Sequence, residues 1–113
     1  MNALALTDLD VPLRALRTLA VEFPDLPAVD VQVSQVYPDR LELSIHNNLT
    51  AFEAWRTALG ISPDAVAWHG EARMFWLEGV TTFAGAAVHL TGFAKLEQRV
   101  PAPPELVAAG GSA

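Results

Sequence analysis

The three histidines are the side chains best suited to catalysis or metal binding in this sequence. His46 is predicted at the end of a strand, His69 in a short strand, and His89 on an outward-facing position of the last strand. Their spacing fits neither the i, i+4 pattern of a helical metal site nor the short intervals of a zinc-binding hairpin. The sequence therefore predicts no metal site and no cofactor.

Motifs for covalent or nucleotide chemistry are also absent from the sequence. It contains no cysteine, no serine within G-x-S-x-G, and no glycine-rich loop between a strand and a helix. Asp30 is predicted to lie opposite His46 on a neighbouring strand, and we interpret this pair as a surface ion pair rather than an acid/base dyad. The prediction is a non-enzymatic protein with no catalytic residues.

Charge and hydropathy exclude several classes of partner. The net charge is −6, and the acidic residues are scattered singly, with no basic stripe. Direct binding of nucleic acid is disfavoured because phosphate recognition needs clustered Lys and Arg. No apolar run approaches the roughly 18 residues that would cross a bilayer, and no basic leader is apparent. We therefore expect no membrane association and a cytoplasmic location.

The length and composition favour one folded domain with a tail. A chain of 113 residues with 51% hydrophobic side chains can bury a substantial core. Proline and then glycine and alanine dominate the C-terminal end, which is typical of a mobile segment. The predicted division is a single α+β domain over residues 1–97 and a flexible tail over residues 98–113.

The clearest order lies between Arg73 and Lys95, where two long strands are predicted around a two-residue turn at Ala84 and Gly85. One face of this hairpin is apolar and should meet the core. Antiparallel pairing aligns the following residues on that face: Thr81 with Val88, Gly79 with Leu90, Leu77 with Gly92, and Phe75 with Ala94.

The outer face of the same hairpin carries apolar area that the predicted core does not use. Large aromatic residues at outward positions of a sheet are typical of protein interfaces. The candidate interaction surface consists of Met74, Trp76, Val80, His89 and Phe93.

Two helices are predicted from apolar periodicity and capping residues. The first spans residues 10–22 and begins at Asp10. The second spans residues 51–59, with Thr50 and Glu53 as a capping box and Gly60 at its end. The predicted core-facing stripes are Leu13, Leu16, Ala20 and Phe23 on the first helix, and Phe52, Trp55 and Leu59 on the second.

A first hairpin is predicted between the helices from the alternation of apolar and polar residues. Its turn is expected at Tyr37-Pro38-Asp39, which would pair Val33 with Leu43. The two helix ends also share an Ala-x-Arg-Thr pattern followed by Pro-Asp. This similarity indicates either a tandem helix-plus-hairpin repeat or two similar helix ends.

These elements together predict a two-layer α+β sandwich. Two helices would cover one face of an antiparallel sheet of four or five strands, in the order αββα(β)ββ with a tandem αββ repeat as one interpretation. The other face of the sheet, including the candidate interaction surface, would remain uncovered.

A resemblance to known proteins rests on the segments LTAFEAWRTALGISPDAV and VTTFAGAAVHLTGFAK. It is a general likeness of sequence and includes no catalytic motif. Over roughly residues 10–95 the chain resembles small α+β proteins of actinobacterial and actinophage genomes that have no assigned activity. The resemblance implies a GC-rich bacterial or phage origin and an α+β fold, and it carries over no site residues.

Three functions are compatible with the sequence. The leading prediction is a protein-interaction or regulatory accessory module that forms a homodimer through the outer sheet face. One alternative is an acidic phage-type inhibitor of a host protein. Another is a small-ligand binder or enzyme with a pocket between helices and sheet near His69.

Overall fold

The computed structural model describes residues 3–71 and 73–95, and the predicted tail lies outside them. Short 3-10 turns at Leu6–Leu9 and Pro63–Ala65 precede α1 and β3 respectively. The helices and strands in chain order are α1 (Asp10–Glu22), β1 (Asp30–Ser34), β2 (Tyr37–His46), α2 (Leu49–Leu59), β3 (Ala67–Glu71), β4 (Met74–Phe83) and β5 (Ala86–Lys95).

The sheet has five strands in the spatial order β1-β2-β5-β4-β3, with both helices packed on one face. The predicted α+β class, two-layer arrangement and element order are confirmed. The sheet is mixed rather than purely antiparallel, because β2 and β5 pair in parallel at its centre. The chain between them, which includes α2, is long enough for the crossover that a parallel pair requires. No helix in residues 3–71 and 73–95 is long and apolar enough to cross a bilayer.

The tandem repeat does not appear as repeated structure. Each proposed copy ends in a strand, β2 or β5, and these two strands run in the same direction under the same helical layer. In the first copy the strand before β2 is β1, which lies on one side of the central β2–β5 pair. In the second copy the strand before β5 is β4, which lies on the other side of that pair. The two units therefore have opposite handedness and cannot be superposed.

Helix α1 has the predicted bounds, and of its predicted stripe only Leu16 and Phe23 pack against the core. Pro12, Ala15 and Leu19 are its buried residues. The predicted stripe is rotated from this face, so that Leu13 is 38% exposed and Ala20 is exposed. Two of the three buried residues, Pro12 and Ala15, are small, so a pattern of large apolar residues does not identify this face.

Helix α2 begins two residues earlier than predicted and has a different cap. The Asn48 side chain accepts a hydrogen bond from the backbone N–H of Ala51 at 3.0 Å. Glu53, predicted to complete a capping box, instead accepts hydrogen bonds from the Arg56 guanidinium at 2.8 and 2.9 Å. This hydrogen-bonded pair lowers the pKa of Glu53. The predicted apolar stripe and the Gly60 terminus, with φ of 73°, are confirmed.

The first hairpin has the predicted faces but a shifted register. Its turn lies at residues 35–36, where the Ser34 hydroxyl accepts a hydrogen bond from the N–H of Val36 at 3.1 Å. Val31, rather than Val33, is therefore paired with Leu43. From Asp30 to Gln32 the shift is two residues, which keeps these side chains on their predicted faces, and the register changes again between Gln32 and Ser34.

The second hairpin has every predicted pair on its inner face. Ala84 and Gly85 adopt φ of 50° and 85°, the two positive values that a tight turn of this type requires. Gly92 permits α2 to pack closely on β5, since a Cβ atom there would lie 2.7 Å from the Phe52 ring. The pairing of β4 with β5 therefore fixes which side chains face the core. It also fixes the positions of the residues on the outer face.

Candidate functional site

The outer face of the sheet, opposite the helices, holds all five residues of the candidate interaction surface. Trp76 is paired with Phe93, and Val80 with His89, across β4 and β5. Met74 is 38% exposed and Val80 is 58% exposed. The register of the hairpin thus brings the five predicted residues onto one surface, and their role in binding remains a prediction.

An aromatic ladder crosses this face at one level of the sheet. Strand pairing aligns four residues, each on a different strand, in the order His46, Phe93, Trp76 and His69. The His46 and Phe93 rings stack with centroids 5.1 Å apart, and the His69 and Trp76 rings stack at 5.2 Å. Stacked rings restrict one another's rotamers, so the ladder is held in a defined shape before any partner binds.

Each end of the aromatic ladder has a carboxylate beside its histidine. The Nε2 atom of His46 lies 3.7 Å from Oδ2 of Asp30. The Nε2 atom of His69 lies 3.0 Å from Oε1 of Glu78. The pairing of Asp30 with His46 was predicted, but Asp30 is opposite Ser44, so the contact with His46 is diagonal. These pairs orient the imidazoles and give both ends of the ladder a polar rim.

His89 occupies a different environment in the centre of the outer face. Burial lowers the pKa of its imidazole, and the positive charge of Arg40 lowers it further, against the opposing effect of Glu42 and Glu78. Arg40 also donates a hydrogen bond to Glu42 at 3.1 Å. The centre of the face therefore favours the neutral form of His89.

The titratable side chains at the two ends of the aromatic ladder form separate pairs. In the part of the chain that the structure describes, no group of three or more His, Cys, Asp or Glu side chains converges to hold a metal ion. The two histidine–carboxylate pairs are open to solvent, with His46 and His69 side chains 57% and 43% exposed.

The sequence predicted His46 on the outer face but not its alignment with Phe93, and it did not predict that His69 lies on this face. His46 is aligned with Phe93 through the parallel β2–β5 pairing, which no local pattern in the sequence specifies. His69 joins the face through the β3–β4 register, which alternation within β3 could have suggested. His69 lies beside Trp76 on the face away from the helices, and the small-ligand alternative stays a prediction.

No protein-family model matches the sequence, and no curated protein or solved structure matches it significantly. The functional interpretation therefore depends on the residues and geometry of this chain. The bacterial or phage origin implied by the resemblance remains a prediction.

Proposed function

We propose that the protein is a non-enzymatic interaction module that forms a homodimer through the outer face of its sheet. The observation that carries this proposal is the aromatic ladder of His46, Phe93, Trp76 and His69. Aromatic side chains at the centre of an interface commonly supply most of the binding free energy. Here they are preordered by stacking and surrounded by polar side chains.

The size of the outer face is sufficient for a stable dimer. Three strands of ten residues and two of five, at the usual strand spacing, give a projected area of about 600 Å2. Two such faces would bury about 1,200 Å2, which reaches the lower range of specific interfaces. Side-chain relief increases the accessible area beyond this projection.

The order of the aromatic ladder favours pairing with a second copy. From either end the sequence of side-chain types is histidine, aromatic, aromatic, histidine, with a carboxylate beside each histidine. A two-fold axis places such a row against itself without leaving a ring opposite a charge. Arg40 and Lys95 lie on the same face and can pair with carboxylates of the second copy.

Removal of one central aromatic side chain should convert the dimer to monomer. Trp76→Ala and Phe93→Glu should each weaken dimerisation by about thirtyfold or more, because central aromatic residues contribute about 2 kcal/mol or more. Sedimentation velocity across a concentration series measures the dissociation constant.

Trp68→Ala is the matched control, because Trp68 is 62% exposed on the helix side of the neighbouring strand β3. Its dimerisation should be unchanged, and circular dichroism should show that all three variants fold. A monomeric wild type would contradict the proposal, as would a dimer that both outer-face substitutions leave intact.

A further inference from the structure

An open apolar cleft of about 320 Å3 lies between α1, α2 and the sheet edge at β1. Its walls are mainly apolar, and the indole N–H of Trp55 donates to the carbonyl oxygen of Pro27 at 2.8 Å. The cleft is therefore suited to apolar side chains. Residues that line it include Leu16, Ala20, Phe23, Val29, Val31 and Trp55.

Helix α1 presents apolar side chains to this cleft as well as to the core. Leu16, Ala20 and Phe23 line the cleft, and Leu16 and Phe23 also pack against the core. Ala15 and Leu19 are buried, and Leu19 also lines the cleft. The helix therefore has an apolar surface wider than its core contact requires. A second apolar surface next to an open cleft indicates a site for another chain.

The cleft lies beside a free sheet edge. In the described part of the chain, β1 pairs only with β2. The helices pack mainly over β2 and β5, so β1 extends beyond the helical layer. Strand β1 contains neither proline nor lysine, and Val31 is 42% exposed. Its pairing with β2 is regular from Asp30 to Gln32 and becomes irregular between Gln32 and Ser34, so the regular part is the edge available for pairing. This edge can accept the backbone hydrogen bonds of an added strand.

The charges around the cleft and edge are acidic. The Asp30 side chain on β1 is 81% exposed. Glu22 and Asp25 border a hollow that adjoins the cleft and shares its Phe23 and Leu26 walls. With a chain net charge of −6, this region favours a basic partner.

We infer that the β1 edge and the adjoining cleft bind an extended basic peptide as a sixth strand. Alternate apolar side chains of the peptide enter the cleft beside Val29 and Val31, and the intervening lysines or arginines lie on the other face beside Asp30. Backbone pairing supplies affinity, and the two-residue alternation supplies selectivity. This site is separate from the outer sheet face.

A synthetic peptide tests the inference directly. The probe is a fluorescent peptide of about eight residues in which valine and lysine alternate, a length that spans β1. Fluorescence anisotropy with the full chain should show saturable binding. N-methylation of alternate peptide nitrogens, which removes the edge hydrogen bonds, should weaken binding by about tenfold or more, as should replacement of lysine by glutamate.

Substitutions at two neighbouring positions of α1 distinguish an effect on the cleft from a general effect on the helix. Ala20→Trp fills the cleft from an exposed position and should weaken peptide binding about tenfold or more. Val21→Trp adds bulk at the next position, which is 69% exposed and outside the cleft, and should leave binding unchanged. Circular dichroism should show both variants folded.

Several results would overturn the inference. These are absence of saturable binding, equal binding of the N-methylated or glutamate peptides, and equal affinity of Ala20→Trp and wild type. A second copy at this edge is the other occupant that the test distinguishes. A dimer that survives Trp76→Ala but is lost in Ala20→Trp would assign the edge to self-pairing and reject the peptide.

Discussion

At the residue scale, the outer face contains histidines in two different settings. His46 and His69 stack against aromatic rings and lie beside carboxylates at the ends of the ladder. His89 lies between Val80 on β4 and Glu42 on β2, where burial and Arg40 lower its pKa. Protonation of His89 is therefore less favourable in the folded chain than in the unfolded chain.

His89 should make the folded state sensitive to mild acid. Because its folded pKa lies below the ordinary value of about 6.5, the unfolded chain takes up the proton first as the pH falls. Stability should thus decline from about pH 7 downwards through the folded pKa. His89→Gln should show a shallower decline of unfolding free energy between about pH 7 and pH 5.5, measured by urea denaturation. Parallel curves for wild type and variant would contradict this assignment.

At the element scale, turn geometry explains which strand registers the sequence could predict. The β4–β5 register follows from a two-residue turn, because the Ala84-Gly85 pair fixes every partner along the strands. The predicted β1–β2 register differs from the observed one because the sequence at Tyr37-Pro38 resembles a turn. The actual turn lies just before this segment, where the Ser34 hydroxyl accepts a hydrogen bond from the N–H of Val36. Alternation determines the faces of a strand, and the turn determines its partners.

The α1 stripe shows a second limit at this scale. Periodicity correctly placed the helix, and three residues of the predicted stripe, Leu16, Ala20 and Phe23, line the cleft, where Leu16 and Phe23 also pack against the core. The core contact uses Ala15 and Pro12, whose small side chains weigh little in an apolar pattern. The presence and bounds of α1 could be predicted from the sequence. The face of α1 that is buried against the core could not, because it depends on packing with the sheet.

The turn between β4 and β5 stores strain that a substitution can relieve. Ala84 has φ of 50°, a left-handed conformation that costs a non-glycine residue about 1 to 2 kcal/mol. Ala84→Asn should stabilise the fold by about 0.5 to 1 kcal/mol, because Asn-Gly is favoured in such turns. Urea denaturation measures the gain. Ala84→Val is the opposing control and should destabilise, since a β-branched side chain suits this conformation poorly; stabilisation by valine would refute the argument.

At the scale of the whole molecule, the two proposed binding surfaces belong to different parts of one sheet. The aromatic ladder lies on the face opposite the helices, and the cleft lies on the helix side beside β1. The candidate residues on β4 and β5 could be predicted from one hairpin. The full ladder could not, because its His46 end depends on strands distant in sequence.

Separate surfaces should function independently. The dimer should bind one valine–lysine peptide per chain, and Trp76→Ala should retain that stoichiometry as a monomer. Ala20→Trp should lose peptide binding and keep the dimer, because substitutions at distant sites with no shared partner act additively. Isothermal titration and sedimentation of the single and double variants measure both properties. Loss of dimerisation in Ala20→Trp would show that the surfaces are coupled.

The parallel pairing of β2 with β5 also determines how the chain acquires its fold. All other strand pairs join neighbours in sequence, whereas this pair closes a loop of about 40 residues. Hairpins form rapidly, so the central seam should be the slow step of folding. During synthesis, β2 cannot pair with β5 until β5 has left the ribosome. The edge of β2 that carries Leu41, Leu43 and Ile45 therefore stays unpaired until then. The middle of the sheet is thus the last part of the molecule to assemble.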